Sequence, residues 1–130
     1  MNTIEVVQNF YASFSNGKMA ESLSTLVDSE AVLENPLPAP IPFGGRFVGR
    51  DGFATYLQAI PAAIDIEQFD VDEILSEGDR VVVLGRETSR VLSTEKRYTM
   101  SWVHVLTVQG GRIQHFREYN DTAAMLAAFS

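Results

Sequence analysis

The sequence predicts an α+β fold: a cone-shaped, strongly curved sheet, mixed but mostly antiparallel, wrapped on three N-terminal helices. Three observations predict it. Apolar residues recur at helical spacing through the first part of the chain. Long strand-like segments separated by short turns fill the second part, and a short helical segment closes it. Helices segregated from an antiparallel meander cover one face of the sheet, and a sheet bent over them leaves a pocket between the layers. A length of 130 residues suits a single domain, 1–130, with enough buried surface for a real core.

The elements follow in order. Asn2 and Glu5 have capping-box spacing and open a helix that runs to Asn16. Ile4, Val7, Tyr11 and Phe14 share its apolar face, Phe10 lies beside them, and Gly17 suits the C-terminal cap. A second helix, Lys18 to Val27, carries Met19, Leu23, Leu26 and Val27. Ala31 to Asn35 is a short strand. Pro36, Pro38, Pro40 and Pro42 forbid helix and deny ladder donors, so Pro36 to Gly49 is a long, stiff loop of the kind used as a lid or binding loop. Asp51 caps a third helix that runs to about Ile60, with Phe53, Tyr56, Leu57 and Ile60 on one stripe. Strands follow over Ile66–Ser76, Arg80–Leu92, Arg97–Gln109 and Arg112–Asn120. Gly110-Gly111 supplies both positive-φ positions of a type I′ hairpin turn. Asp121 caps the last helix, where Ala123, Leu126 and Phe129 are apolar.

Composition narrows the chemistry. With 45% hydrophobic and 21% charged residues the chain is an ordinary folded protein rather than a disordered one. It has no cysteine, which removes disulfides, thiolate nucleophiles and thiolate metal sites. A net charge of −7 argues against nucleic acid and anionic membranes as partners. No apolar run approaches the ~20 residues that span a bilayer, and the N-terminus lacks the pattern of a secretory signal, so a cytoplasmic location is expected. The remaining chemical groups are carboxylates, two histidines, amides, hydroxyls and aromatics. His104 and His115 are eleven apart with no carboxylate pattern, so no metal site is expected.

Four segments carry a family resemblance: Val6-Val7-Gln8-Asn9-Phe10-Tyr11, Ala31-Val32-Leu33-Glu34-Asn35-Pro36, Phe47-Val48-Gly49-Arg50-Asp51-Gly52, and the run from His104 to Ile113 through Gly110-Gly111. With the order of elements, they make the chain resemble the cone-shaped superfamily of nuclear transport factor 2, ketosteroid isomerase, limonene epoxide hydrolase and the SnoaL-like polyketide cyclases (a cystatin-like roll). The isomerase pattern places a catalytic tyrosine at Phe10, a general-base aspartate at Asn35 and a protonated aspartate at about Val103. All three groups are missing, which rejects steroid-isomerase chemistry by that route. The epoxide hydrolase pattern meets Arg86-x-Thr88 and Glu118, with Thr88 in place of one carboxylate. The SnoaL-like pattern gives the closest local match: a histidine in the strand before the last hairpin, His104, and an acid/base carboxylate in the strand after it, Glu118. That resemblance implies intramolecular ring closure without a metal or organic cofactor.

Strand parity ranks the candidates. If Gln109 faces Arg112 across the turn, Val103 faces Glu118 and Val105 faces Phe116, so Glu118 shares an apolar face with Phe116, Val103 and Val105. The same count puts His104 on the opposite face with Trp102, Leu106, His115, Arg117 and Tyr119, and a bulge in either strand reverses it. Arg86 interrupts an apolar strand, either as an oxyanion binder or as a structural partner of Glu118. Asn35 is either a carbonyl-orienting amide or a turn residue before Pro36. Tyr56 either offers its hydroxyl to a ligand or is core. Phe10, Phe14, Thr88, Val103, Phe116 and Asn120 complete the expected pocket wall. The resulting expectation is a cyclase or isomerase that needs no cofactor, acting on a small hydrophobic carbonyl compound with Glu118, His104 and Arg86 as catalytic residues. The alternatives are water activation of the epoxide hydrolase kind and a non-catalytic ligand-binding or dimerisation module. Trp102, Leu106, Val108, Ile113 and Tyr119 fall on one face, a patch expected to form a homodimer.

Overall fold

The computed structural model describes residues 1–130. Helices α1 (Thr3–Asn16) and α2 (Met19–Thr25) form a hairpin around Gly17, whose φ of 77° is left-handed. Strand β1 (Val27–Asn35) leads through a proline loop into β2 (Gly45–Val48), then α3 (Gly49–Ala63). Strands β3 (Ile64–Glu77), β4 (Arg80–Val91), β5 (Arg97–Gln109) and β6 (Arg112–Tyr119) form the meander, and α4 (Thr122–Phe129) ends the chain. The curved sheet is open, in the order β2-β1-β6-β5-β4-β3. Only the β1–β6 pair is parallel.

The local reasons match the expected ones at several points. Asn2 and Glu5 exchange both capping-box hydrogen bonds. Asp121 accepts from the Ala124 amide and caps α4. Gly110 and Gly111 take φ values of 60° and 75°, as the tight turn requires. In β4 and β5 burial alternates strictly, with one face on the core and the other outward.

Differences cluster where short-range signals compete. The residues from Val27 onward extend β1 rather than α2, because pairing with β6 at Val27–Ile113 outweighs local helical spacing. Inside the expected loop, β2 pairs with β1 from Val32–Val48 to Asn35–Gly45. The remaining loop turns inward, burying Ile41 and Phe43 in the core, with Phe43 edge-on to Phe129. Helix α3 starts before Asp51, with Val48 at its cap and no side-chain capping bond, and it continues through Pro61 to Ala63. In α4 the buried residues are Met125 and Ala128, whereas Ala123 is exposed.

The most consequential difference is the register of β5 and β6. Gln109–Arg112 and Val108–Ile113 pair as the turn demands, but the next pair is Thr107–His115, so Gln114 is an extra residue in β6. Every pair beyond it is shifted by one, and His104 stands opposite Glu118. His104 and Glu118 therefore share the concave face with Trp102, Leu106 and Phe116, while Val103 and Val105 face outward. The expected dimer patch is also corrected: Trp102, Leu106, Val108 and Ile113 lie on the concave face and are core, and the shift carries Tyr119 to the other face, where it is exposed.

Candidate functional site

A cavity of about 980 Å³ lies between the helices and the concave face of the sheet. Its wall is mostly apolar, with Phe10, Leu33, Phe43, Ile60, Met100 and Phe116 among its lining residues. Phe14 and Phe69, both exposed and in contact, also line it and mark its solvent-facing side. Against this background a few polar side chains stand out: Tyr11 from α1, Tyr56 from α3, Glu87 from β4, Tyr98 and His104 from β5, and Glu118 from β6.

Glu118 anchors a continuous polar chain. Its Oε1 lies 3.3 Å from His104 Nε2, and its Oε2 accepts from the Tyr56 hydroxyl. Tyr56 in turn accepts from Asn35 Nδ2 at 3.2 Å, and Asn120 Nδ2 donates to Asn35 Oδ1 at 3.1 Å. On the other side Tyr11 Oη lies 2.6 Å from His104 Nδ1. The His104 ring is stacked on Trp102 with centroids 4.0 Å apart and lies parallel to Tyr11 at 5.9 Å. Glu118 is 8% exposed and His104 5%, so the pair is held in a low-dielectric setting where hydrogen bonds strengthen one another.

The electrostatics assign the protons. Burial, reinforced by the charge of Glu118, pushes the Tyr11 hydroxyl well above the usual phenol range. The same two causes push Tyr56 up, and its hydrogen bond to Glu118 adds to them. Both phenols therefore stay protonated and act as donors. Where Tyr11 O–H donates to Nδ1, the imidazole proton sits on Nε2, the nitrogen that faces Glu118 Oε1 at 3.3 Å.

A second carboxyl occupies the same cavity. Glu87 Oε2 accepts from Ser89 Oγ and from Tyr98 Oη, each at 2.8 Å. Burial raises the Glu87 carboxyl above its ordinary 4.5, and the charge of Glu118 adds to the rise against the opposing pull of Ser89 and Tyr98. Because the native state holds this proton more tightly than the unfolded chain, Glu87 stabilises the fold below about pH 4.5. That contribution is lost as pH rises through the raised native value. The unfolding free energy of the wild type relative to Glu87→Gln should accordingly fall as pH rises above about 4.5 in urea titrations. A difference flat with pH would contradict the assignment.

The expected site residues separate into two groups. Glu118, His104, Phe10, Phe14, Tyr56, Phe116 and Asn120 line the cavity, and Asn35 supports it from behind through Tyr56 and Asn120. Arg86, Thr88 and Val103 do not: they sit on the outer face of the sheet, opposite in parity to Glu87 and His104. Arg86 makes a two-pronged contact with Asp72 at 2.9 and 3.0 Å and approaches Asp70. It is not a partner of Glu118, since β4 alternates and residue 86 falls between inward-facing Gly85 and Glu87. Thr88 bonds Thr99 across the outer face.

Sequence reasoning did not single out Tyr11 as a site residue and did not consider Glu87 at all. The signal for Glu87 was present: Val81, Val83 and Val91 share its odd-numbered parity and define the inward face of β4. For Tyr11 nothing in the sequence announces a histidine partner 93 positions away. No cluster of three or more His, Cys, Asp or Glu side chains is positioned to hold a metal ion, and no helix is long and apolar enough to cross a membrane.

Comparison with known proteins agrees with this architecture. An NTF2-like protein from Burkholderia xenovorans superposes with a TM-score of 0.89 at 27% identity, covering 98% of this chain and 95% of that one. TerC, crystallised with polyporic acid, gives 0.81 at 25% identity, with 98% and 97% covered. A protein from Mesorhizobium loti called a SnoaL-like polyketide cyclase gives 0.76 at 18% identity, with 92% and 99% covered, a likeness of fold alone. No curated protein sequence matches the chain. The model of the SnoaL-like domain matches residues 7–116, so the chain belongs to the SnoaL-like family.

Proposed function

We propose that this protein is a cyclase or isomerase acting on a small, largely apolar carbonyl compound, with Glu118 as its acid/base. The observation that carries the reading is a buried carboxylate on the wall of an apolar cavity, fixed through both oxygens by His104 and Tyr56. A carboxylate so held is aimed and cannot be dispersed by solvent.

The side chains suffice for the proton steps. Glu118 takes a hydrogen from the carbon beside the substrate carbonyl, and the C–H electron pair becomes an enolate. Once Glu118 is neutral it no longer holds the Tyr56 hydroxyl strongly, and that donor turns to the enolate oxygen. In a ring closure the enolate carbon attacks a second carbonyl carbon of the same molecule, and the resulting alkoxide recovers the proton from Glu118. In an isomerisation the proton returns to a different carbon. Tyr11 and His104 hold Glu118 in place throughout. Water activation of the epoxide hydrolase kind is the weaker reading, because Arg86 points away from the cavity.

Isotopes separate these routes. With 2-tetralone as the probe in deuterated, oxygen-18-enriched water, the enzyme should speed deuterium into the carbon next to the carbonyl. It should not speed oxygen-18 into the product. Accelerated oxygen-18 uptake without carbon deuteration would overturn the proposal in favour of water activation.

We also propose that the chain forms a homodimer through the outer sheet face. Val82, Leu84, Val103 and Val105 form an outward apolar stripe there, bordered by Arg86–Asp72 on one side and Arg117–Glu34 on the other. Sedimentation at micromolar concentration should show a dimer that Val105→Lys dissociates. A wild-type monomer would contradict it.

A further inference from the structure

The Glu118 chain leaves one cavity group unused. Glu87 is 9% exposed, lines the cavity and has no cation beside it. Both of its hydrogen bonds fall on Oε2, from Ser89 and Tyr98, while Oε1 accepts none from the protein. A buried carboxyl held by two neutral hydroxyls and otherwise walled by Phe69, Tyr98 and Met100 is costly to keep unless something completes it. It stands at a different place on the sheet from the first polar centre, though the charge of Glu118 still reaches it. Glu87 pairs with Met100 and Glu118 with His104, four residues further along β5, about 13 Å of strand.

We propose that Glu87, with Ser89 and Tyr98 behind it, is a second polar pole of the cavity that binds a hydroxyl group of the ligand. The substrate is then a hydroxylated carbonyl compound with an apolar body between the two groups. A hydroxyl suits this place because it can donate to Oε1 when Glu87 is ionised and accept from it when Glu87 is protonated. Ser89 and Tyr98 keep Oε2 occupied and so leave Oε1 for the ligand. This deepens the reading of Glu118 as acid/base and rests on it for the carbonyl end.

The test uses a matched pair of fluorescent probes, 6-hydroxy-2-acetylnaphthalene and its 6-methyl counterpart. The wild type should bind the hydroxyl probe about tenfold to a hundredfold more tightly. Glu87→Met, which places no hydrogen-bonding group where Oε1 stands, should bring the two affinities within about threefold of each other, whereas Glu118→Gln should preserve the ratio. If Glu87→Met fails to fold, Glu87→Asp keeps the charge but withdraws the oxygen, and it too should shrink the preference. Equal affinities in the wild type, no binding of either probe, a preference that survives at residue 87, or one that disappears with Glu118 would each overturn the proposal. A preference that follows Glu87 while Glu118→Gln leaves deuterium exchange untouched would support this subsite and sink the catalytic reading.

Discussion

Glu118→Gln is expected to lower the rate of proton exchange or turnover by about 10²–10⁴-fold, the range spanned by a positioned general base. The substitution is nearly isosteric, and the surroundings can accept it. The amide oxygen takes the Tyr56 hydroxyl, and the amide nitrogen faces His104 Nε2. That imidazole can carry its proton on Nδ1 and donate to Tyr11 Oη, which leaves Nε2 free to face the amide nitrogen. Fold and cavity therefore persist while the carboxylate assigned as the base is removed. Undiminished turnover in a variant with wild-type circular dichroism would refute the assignment.

Gly85→Ala is expected to destabilise the protein by about 3 kcal/mol or more, beyond the usual range for an added methyl in a packed core. On propensity alone the change should help, since glycine inside a strand is unfavourable. Packing decides otherwise. A Cβ at residue 85 would sit 2.1 Å from Trp102 Cζ2 and 2.3 Å from the Asp70 carbonyl oxygen. Neither neighbour can yield cheaply. Trp102 is 2% exposed and wedged between His104 and Phe69, and Asp70 belongs to the paired backbone of β3. Any displacement of the indole also moves the ring stacked on His104, so activity should fall along with stability. Urea unfolding gives the first effect; a midpoint equal to or above that of the wild type would contradict it.

The architecture was legible because it rests on local signals that agree with one another. The capping box at Asn2 and Glu5, the paired glycines at residues 110 and 111 and the Asp121 cap each specify a boundary through their own backbone requirements. Helices before strands then fix the layering. What could not be read were features decided by distant partners. Strand β2 exists because β1 offers it a ladder edge, whatever the nearby prolines suggest. Arg86 looked like an intruder in an apolar strand, yet it stands on the outer side, paired with Asp72 fourteen residues earlier.

The candidate site shows the same division more sharply. Glu118 and His104 were recognisable by residue type and by resemblance, but their relation depends on Gln114, one residue inserted into the β6 ladder. Without it the two side chains fall on opposite faces; with it they meet at 3.3 Å. The displacement turns Phe116 and Glu118 to the inward face, which His104 already holds through its pairing with Val83 of β4. The shift has no marker in the residues around Gln114, since a bulge is defined by pairing with the partner strand. A phenol from the first helix does reach the cavity, one position after Phe10, at Tyr11.

Carbon-13 labelling of the glutamate side-chain carboxyls gives the most direct examination of Glu118. Its resonance is the one that disappears in Glu118→Gln. Titration with 2-tetralone should shift that signal saturably, as the carbonyl compound enters the cavity and replaces solvent beside the carboxylate. A Glu118 signal that stays fixed while the ketone binds, or a protein that takes up no ketone at all, would contradict the account.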